Sequence, residues 1–379
     1  MGDLFKSTKV TDAKRIVIKI GSALLVDEKH GTVHRKWLET LAKDIATAKA
    51  RGQEVVIVTS GAIAVGRRHL DLPKGSLRLD EKQAAAACGN IRLAHAYQEV
   101  LGHHQMSVAQ ILVTLEDSEN RRRYINARNT IETLLKVGAV PLINENDSIA
   151  TDEIRFGDND RLAARVAAMI SADTLVLFSD IDGLYTADPS KDKNAEFIDV
   201  VEAFISPSIE AMAGGSASDF GSGGMMTKIA AAKIALNAGC RMVITKGNPL
   251  HPLKALEDGA KCTWFLPDAT PKKARKQWIS GSLKPMGEVI VDAGAITALK
   301  TEKSSLLPIG VKEVIGDFMR GEAVIVKGPE GEEIGRGLIA YGSEDARKIV
   351  GLKSSEIKEK LGYMGRDEMI HRDHLVVEL

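Results

Sequence analysis

The chain has 379 residues, 44% hydrophobic and 27% charged, with 51 Lys+Arg against 51 Asp+Glu and a formal net charge of zero. That length predicts two or three domains, and the apolar content excludes a disordered chain. The zero balance removes the overall basic footprint on which non-specific nucleic-acid or membrane-surface binding depends.

Three cysteines, Cys88, Cys240 and Cys262, stand far apart and form no metal-ligand spacing. The nine histidines include no HExxH pattern, which argues against a zinc enzyme, and no residue is assigned as a metal ligand. No stretch approaches the roughly 20 apolar residues of a membrane helix. Met1 to Val10 has charges and no apolar run, which argues against a signal peptide. The expectation is a cytoplasmic protein with no membrane partner.

In chain order, residues 15–20 (RIVIKI) form a short β-branched run that ends in Gly21-Ser22. Residues 34–50 carry Trp37, Leu38, Leu41, Ile45 and Ala48 at helical spacing, with Gly52 as the stop. Residues 54–59 read as a buried strand leading into Ser60-Gly61-Ala62. The alternation continues with a strand at 107–114, a helix at 124–137 and a strand at 139–143. A helix at 160–170, a strand at 174–178, a helix at 225–238 and a strand at 241–245 follow. The strands are near-continuous apolar runs, as in a sheet covered on both faces. The prediction is an α/β fold: a three-layer αβα arrangement around a mainly parallel sheet, with the ligand site beyond the carboxyl ends of the strands.

Near Thr270 the rhythm changes. Residues 270–281 are basic, and beyond Pro285 come short strand-like pieces separated by glycines, at 288–291, 322–326 and 335–340. The predicted organisation is an α/β domain over 1–269, a linker over 270–285 and a small β-rich domain over 286–379. That last stretch holds 13 Lys+Arg against 17 Asp+Glu, so RNA binding by it is disfavoured.

Five clusters sit where strands end or helices begin. Lys19-Ile-Gly21-Ser22 offers backbone N–H groups and a positive charge to phosphate oxygens. Ser60-Gly61-Ala62 suits a carboxylate, or serves as a simple helix cap. Asn144-Glu-Asn-Asp147 and Gly157-Asp-Asn159-Asp160 concentrate amides and carboxylates; Asp160 could cap a helix that starts at Arg161, and a carboxylate here can also hold two lysines in place or bind the ammonium of a substrate. Ser179-Asp180 and the following Asp-Gly turn form either an exposed turn or a nucleotide-binding edge. Gly221-Ser222-Gly223-Gly224-Met225-Met226-Thr227-Lys228 precedes an Ala-rich helix. It lacks Walker A spacing, yet it supplies free N–H groups at a helix start for phosphate.

Together and in this order, VIKIGS (17–22), IVTSGAIA (57–64), VPLINEND (140–147), GDND (157–160), DGLYTADP (182–189) and GSGGMMTK (221–228) resemble the amino acid kinase family. They are closest to its branch that phosphorylates the side-chain carboxylate of glutamate. SSLLP (304–308) and HRD (371–373) resemble a PUA domain. The resemblance implies ATP-dependent formation of γ-glutamyl phosphate, the first step of proline biosynthesis, with ATP and Mg²⁺ as cofactors. It further implies L-glutamate as substrate, proline as feedback inhibitor, γ-glutamyl phosphate reductase as recipient of the product, and a homo-oligomer.

By the same resemblance Lys19 and Lys228 neutralise charge on the transferring phosphoryl group and Asp160 orients them. Ser60, Gly61, Ala62, Asp147 and Asn159 bind glutamate. Lys19, Gly21, Ser179, Asp180 and residues Ser222, Gly223, Gly224, Met225, Met226, Thr227 and Lys228 bind ATP. Ser179 and Ser222 stand where family members often have threonine. Competing readings are a related carboxylate or nucleotide kinase, or an RNA-binding protein acting through the PUA-like segment.

Overall fold

The computed structural model describes residues 4–27, 32–73, 75–149, 159–213, 224–281, 283–302 and 304–377. These fall into two compact units. The first comprises residues 1–119 and 127–271, and the second residues 120–126 and 272–379.

The first unit is built on an eight-stranded sheet. Its strands are β1 (Arg15–Ile20), β2 (Glu54–Thr59), β3 (Val108–Val113), β4 (Val140–Glu145), β5 (Thr174–Ser179), β6 (Val200–Glu202), β7 (Arg241–Lys246) and β8 (Cys262–Leu266). They lie in the order β6-β8-β7-β5-β1-β2-β4-β3. The run from β7 to β3 is wholly parallel; β8 is antiparallel to β7, and β6 is parallel to β8. A mainly parallel sheet was the expectation, and its β-branched strands explain it: β1, β2 and β5 are buried along nearly their whole length.

Period-two alternation divides β1 between two cores. Ile16, Ile18 and Ile20 enter one apolar cluster with Trp37, Leu38, Leu41 and Ile45 of helix α1 (Arg35–Ala50). Val17 and Lys19 take the opposite side, where helix α5 (Asn159–Met169) packs on β1 and against α6 (Met225–Asn237). Lys19 therefore reaches the carboxyl end of the sheet on the face that carries α5 and α6.

Two helices precede β3 that the sequence reading passes over: α2 (Ala62–His69) and α3 (Leu79–Gly102). Glu81 accepts the Arg78 backbone N–H at 2.8 Å, which fixes the start of α3. The two helices meet at Gly66 and Gly89. A Cβ on Gly66 would lie 1.7 Å from the Ala85 carbonyl oxygen, and one on Gly89 would lie 1.8 Å from that of Ala62. Only glycine allows two helix backbones to approach so closely. The helix expected from 124 spans Arg121–Lys136 and is named α4.

Helix α7 (Pro271–Gly281) lies within the stretch expected as a linker, all but Pro271 belonging to the second unit. A five-stranded sheet follows, with strands β9 (Gly287–Val291), β10 (Val311–Ile315), β11 (Ala323–Lys327), β12 (Glu333–Leu338) and β13 (Leu375–Val377) in the order β10-β9-β11-β12-β13. Val289, Val291, Val324, Val326 and Ile334 share one buried cluster with Ile349, Ile357 and Leu375. This is the small β-rich domain foreseen from the glycine-separated strands.

Candidate active site

The carboxyl ends of β1, β2, β4 and β5 lie side by side. Ile20 is in register with Thr59 and Phe178, and Val58 with Ile143. The polar clusters that follow these strands are thereby gathered at one edge of the sheet, as parallel α/β topology requires.

At the centre is Asp160, 1% exposed, in the first turn of α5. Its Oδ1 lies 2.6 Å from Lys19 Nζ, and its Oδ2 lies 3.2 Å from Lys228 Nζ. The Thr227 hydroxyl donates to Oδ2 at 2.9 Å. Burial alone would raise the Asp160 pKa; the two ammonium groups and the hydrogen bonds outweigh it and hold the carboxyl below its ordinary value. Asp160 is thus a carboxylate shared by two lysines. It does not cap a helix opening at Arg161, because α5 already begins at Asn159. Two ammoniums and one carboxylate leave a surplus positive charge beside the strand ends.

The neighbouring residue faces the other way. The Asn159 amide nitrogen donates to the Thr59 carbonyl at 2.7 Å, to Ser60 Oγ at 2.9 Å and to Asn144 Oδ1 at 3.0 Å. The Asn144 amide in turn donates to Asn90 Oδ1 at 2.8 Å. This buried chain of amides ties β2, β4, α5 and α3 together. Beside it the Thr59 and Tyr97 hydroxyls lie 3.2 Å apart, and burial raises the Tyr97 pKa. Among the described residues, Asn159 Oδ1 is buried without a hydrogen-bond partner.

Gly61 caps α2 with φ +98°, and a Cβ there would lie 2.9 Å from Val26 Cγ2, so glycine is required. Ala62 is buried directly behind it. Gly21, by contrast, has φ −71° and ψ 153°, a conformation any residue adopts. A Cβ there would lie 3.8 Å from Lys19 Nζ, so what glycine provides is room beside the ammonium, not an unusual turn.

Asp147 is 8% exposed and has no hydrogen bond or ion pair among the described residues. Burial raises its pKa from the usual carboxylate value to about 6. A buried carboxylate without a partner is costly, and a ligand cation would relieve that cost. Ser179 ends β5, the strand next to β1, and its hydroxyl donates at 2.9 Å to Oδ1 of Asp180, which follows the strand.

Of the glycine-rich loop, Gly224 is the N-cap of α6, and Met225 and Met226 open the helix half-buried ahead of the buried Thr227 and Lys228. Ser222, Gly223 and the Gly157-Asp158 pair lie outside the described residues. Asn90 is the residue that the sequence reading missed. Its signal was a lone amide on the buried stripe of α3, where Ala86, Leu93 and Tyr97 follow helical spacing.

Residues 14–246 match the amino acid kinase family model, and residues 287–361 match the PUA domain model. A curated relative, glutamate 5-kinase from Paramagnetospirillum magneticum, is 64% identical over 97% of this chain and 98% of its own. Glutamate 5-kinase from Rhizobium etli is 58% identical over 96% of this chain and 93% of its own. Among solved structures, UMP kinase from Bacillus anthracis aligns at 18% identity over 68% of this chain and 98% of that one, with a TM-score of 0.48, too slight a likeness to bear on the argument. The convergence of VIKIGS, VPLINEND and the helix-opening Thr227-Lys228 on one sheet edge has its explanation in these matches: the chain belongs to the amino acid kinase family and carries a PUA domain.

Proposed function

We propose that this protein transfers the γ-phosphoryl group of ATP to the side-chain carboxylate of L-glutamate, the activity for which its curated relatives are named. The observation that carries the reading is the sharing of Asp160 by Lys19 and Lys228. A γ-carboxylate is already an anionic nucleophile, so no base is needed. The new bond joins a carboxylate oxygen to the γ-phosphorus, the bond from that phosphorus to the β,γ-bridging oxygen breaks, and no proton moves. The obstacle is repulsion between two anions, and fixed positive charge lowers it.

In this scheme the two lysines contact the transferring phosphoryl group, Asp160 fixing their direction. Ser60, with the backbone at Gly61 and Ala62, holds a glutamate carboxylate, while Asp147 pairs with the α-ammonium and Asn159 Oδ1, an acceptor, receives a hydrogen bond from it. Ser179, Asp180 and the loop ending at Lys228 hold the nucleotide. Among the described residues no three His, Cys, Asp or Glu side chains gather as a metal cage. A Mg²⁺ ion that enters on the phosphates of ATP needs few protein ligands, and Asp180 is an exposed carboxylate beside the nucleotide end of the sheet. Such an ion supplies further neutralisation of the β- and γ-phosphate oxygens. The same reading includes inhibition by proline, passage of the labile acyl phosphate to γ-glutamyl phosphate reductase, and assembly of several copies.

The test is an ATP- and Mg²⁺-dependent hydroxamate assay with glutamate, N-acetylglutamate and aspartate as acceptors, alongside a coupled ADP assay with UMP. Turnover with glutamate alone is expected. Preference for any other acceptor by tenfold in kcat/KM overturns the assignment.

A further inference from the structure

The second unit contains a cavity of about 630 Å³ that the kinase reaction does not use. Three arginines line it: Arg122, Arg320 and Arg366. Their company is aromatic and sulfur-bearing, with Tyr341, Tyr363 and Met319. Tyr341 is buried, its hydroxyl donating to the Arg366 carbonyl, while Tyr363 is 47% exposed at the rim. Gly365 permits this wall: a Cβ there would lie 2.4 Å from the Tyr341 hydroxyl oxygen.

The arginines are poorly compensated. The side chains of Arg122 and Arg320 make no hydrogen bond or ion pair among the described residues, and Arg366 has only Glu368 at 3.4 Å. The two carboxylates on the same wall are already engaged. Glu344 pairs with Lys348 at 2.9 Å, and Asp345 accepts from the Tyr363 hydroxyl at 2.8 Å. Burial lowers the Arg320 pKa, and the nearby charges of Arg366 and Arg122 lower it further, as expected where like charges crowd. Surface arginines normally spread apart or find carboxylates; here three line one concavity with a single carboxylate, Glu368, paired to them, and a further anion would relieve their mutual repulsion.

We infer that this cavity is a binding site for a small organic phosphate of nucleotide size, its phosphate held by Arg122, Arg320 and Arg366 and its ring lying against Tyr363. The volume lies in the range of small-molecule sites. Planar guanidinium groups are the side chains best shaped for bidentate phosphate contacts, and an exposed tyrosine face accepts a planar ring. The concavity is half-open to solvent, with Tyr363 at its rim, and its volume suits a small ligand. The stretch from 286 to 379, with 13 Lys+Arg against 17 Asp+Glu, gives a long polyanion no extended basic track to follow.

The test uses full-length protein and two probes, uridine 5′-monophosphate and inorganic pyrophosphate, titrated by calorimetry. Because the kinase site also takes phosphates, two double variants separate the sites: Lys19→Ala with Lys228→Ala, and Arg320→Ala with Arg366→Ala. Binding that survives the lysine changes and weakens at least tenfold with the arginine changes is the expected result, with glutamate kinase activity of the arginine variant within twofold of the parent. Should that variant unfold, Arg122→Ala, an exposed and unpaired side chain, replaces it and is expected to weaken pyrophosphate binding at least threefold. Binding lost with the lysines and indifferent to the arginines overturns the inference. So does a 5′-phosphorylated RNA octamer that binds a hundredfold tighter than the mononucleotide, which would make the cavity part of a polynucleotide surface.

Discussion

Lys19 Nζ lies 2.6 Å from Asp160 Oδ1, joining the end of the first strand to the first turn of a helix 141 residues later. Lys228 meets the other oxygen of the same carboxylate, so neither ammonium can be understood alone. Lys228→Ala leaves Asp160 paired with Lys19 and removes one charge at the proposed phosphoryl position. The expected loss is about 10²–10³-fold in kcat, comparable to deleting one transition-state donor, with the KM for glutamate nearly unchanged. Initial-rate kinetics decide it; an unchanged kcat removes Lys228 from the transition state.

Asp160→Ala does something different. It leaves two buried ammoniums facing each other without an anion, and removing one member of a buried ion pair costs about 3–5 kcal/mol. The Asp160 pKa is depressed in the folded protein, so its contribution is present above the ordinary carboxylate range and is lost as pH falls through the folded value. Urea unfolding at pH 7.5 is expected to show a much larger loss for Asp160→Ala than for Lys228→Ala. Equal losses would mean that the lysines do not depend on this carboxylate.

Much of this arrangement was legible in the sequence. Strand ends are where parallel sheets place polar residues, and Lys19, Ser60, Asn144 and Ser179 each close an apolar run of about six residues, which fixed both the sheet and the site edge. The roles of Asp160 were left open because a carboxylate in a first turn serves equally as a cap; only the positions of two lysines, distant in sequence, decide between them. Helix α3 was missed for a related reason. The first half of its buried stripe, Ala85, Ala86, Gly89 and Asn90, is too small and polar to register as hydrophobic periodicity, although small residues are what close helix packing demands, and only Leu93, Tyr97, Val100 and Leu101 in the second half carry the apolar signal. Within the 270–285 stretch expected as a linker, charge conceals a helix that opens at Pro271, a favourable first position.

Asp147 yields a pH dependence. Its pKa is raised to about 6, so the carboxylate proposed to pair with a substrate ammonium is lost below that pH. The kcat/KM for glutamate is expected to fall about tenfold per pH unit below 6. Asp147→Asn should abolish this limb and raise the glutamate KM about a hundredfold, with ATP binding retained. Without substrate the sign reverses: a raised carboxyl pKa destabilises the folded state above pH 6, so the asparagine variant is expected to unfold at a higher temperature than the parent at pH 8. A parallel loss of ATP and glutamate binding would refute the assignment.

Asn90 touches no proposed substrate atom, but it holds Asn144, which holds Asn159. Asn90→Ala leaves the buried Asn144 amide without its acceptor, a penalty of about 1–3 kcal/mol. The loss is expected at the glutamate end: KM for glutamate up about five- to tenfold, KM for ATP within twofold, and partial recovery in Asn90→Gln, which restores an amide oxygen. A uniform fall in kcat with both KM values fixed would mark Asn90 as merely structural.

The contact between α2 and α3 gives the last expectation, and here two effects oppose each other. Replacing a helical glycine with alanine favours the helix by up to about 1 kcal/mol. At Gly89, however, the new methyl would lie 1.8 Å from the Ala62 carbonyl oxygen, a backbone atom that can give way only if the whole of α2 moves. Overpacking of this kind costs about 1–3 kcal/mol or more, so the clash wins. Because Ala62 follows Ser60 and Gly61 directly, the shift should also disturb the glutamate pocket. Gly89→Ala is therefore expected to lower the melting temperature and raise the glutamate KM. Gly102→Ala, in the last turn of the same helix with no atom within 4 Å of its added Cβ, should raise the melting temperature and leave the KM alone. If both changes stabilise the protein, the close approach of these helices is not a feature of the folded state in solution.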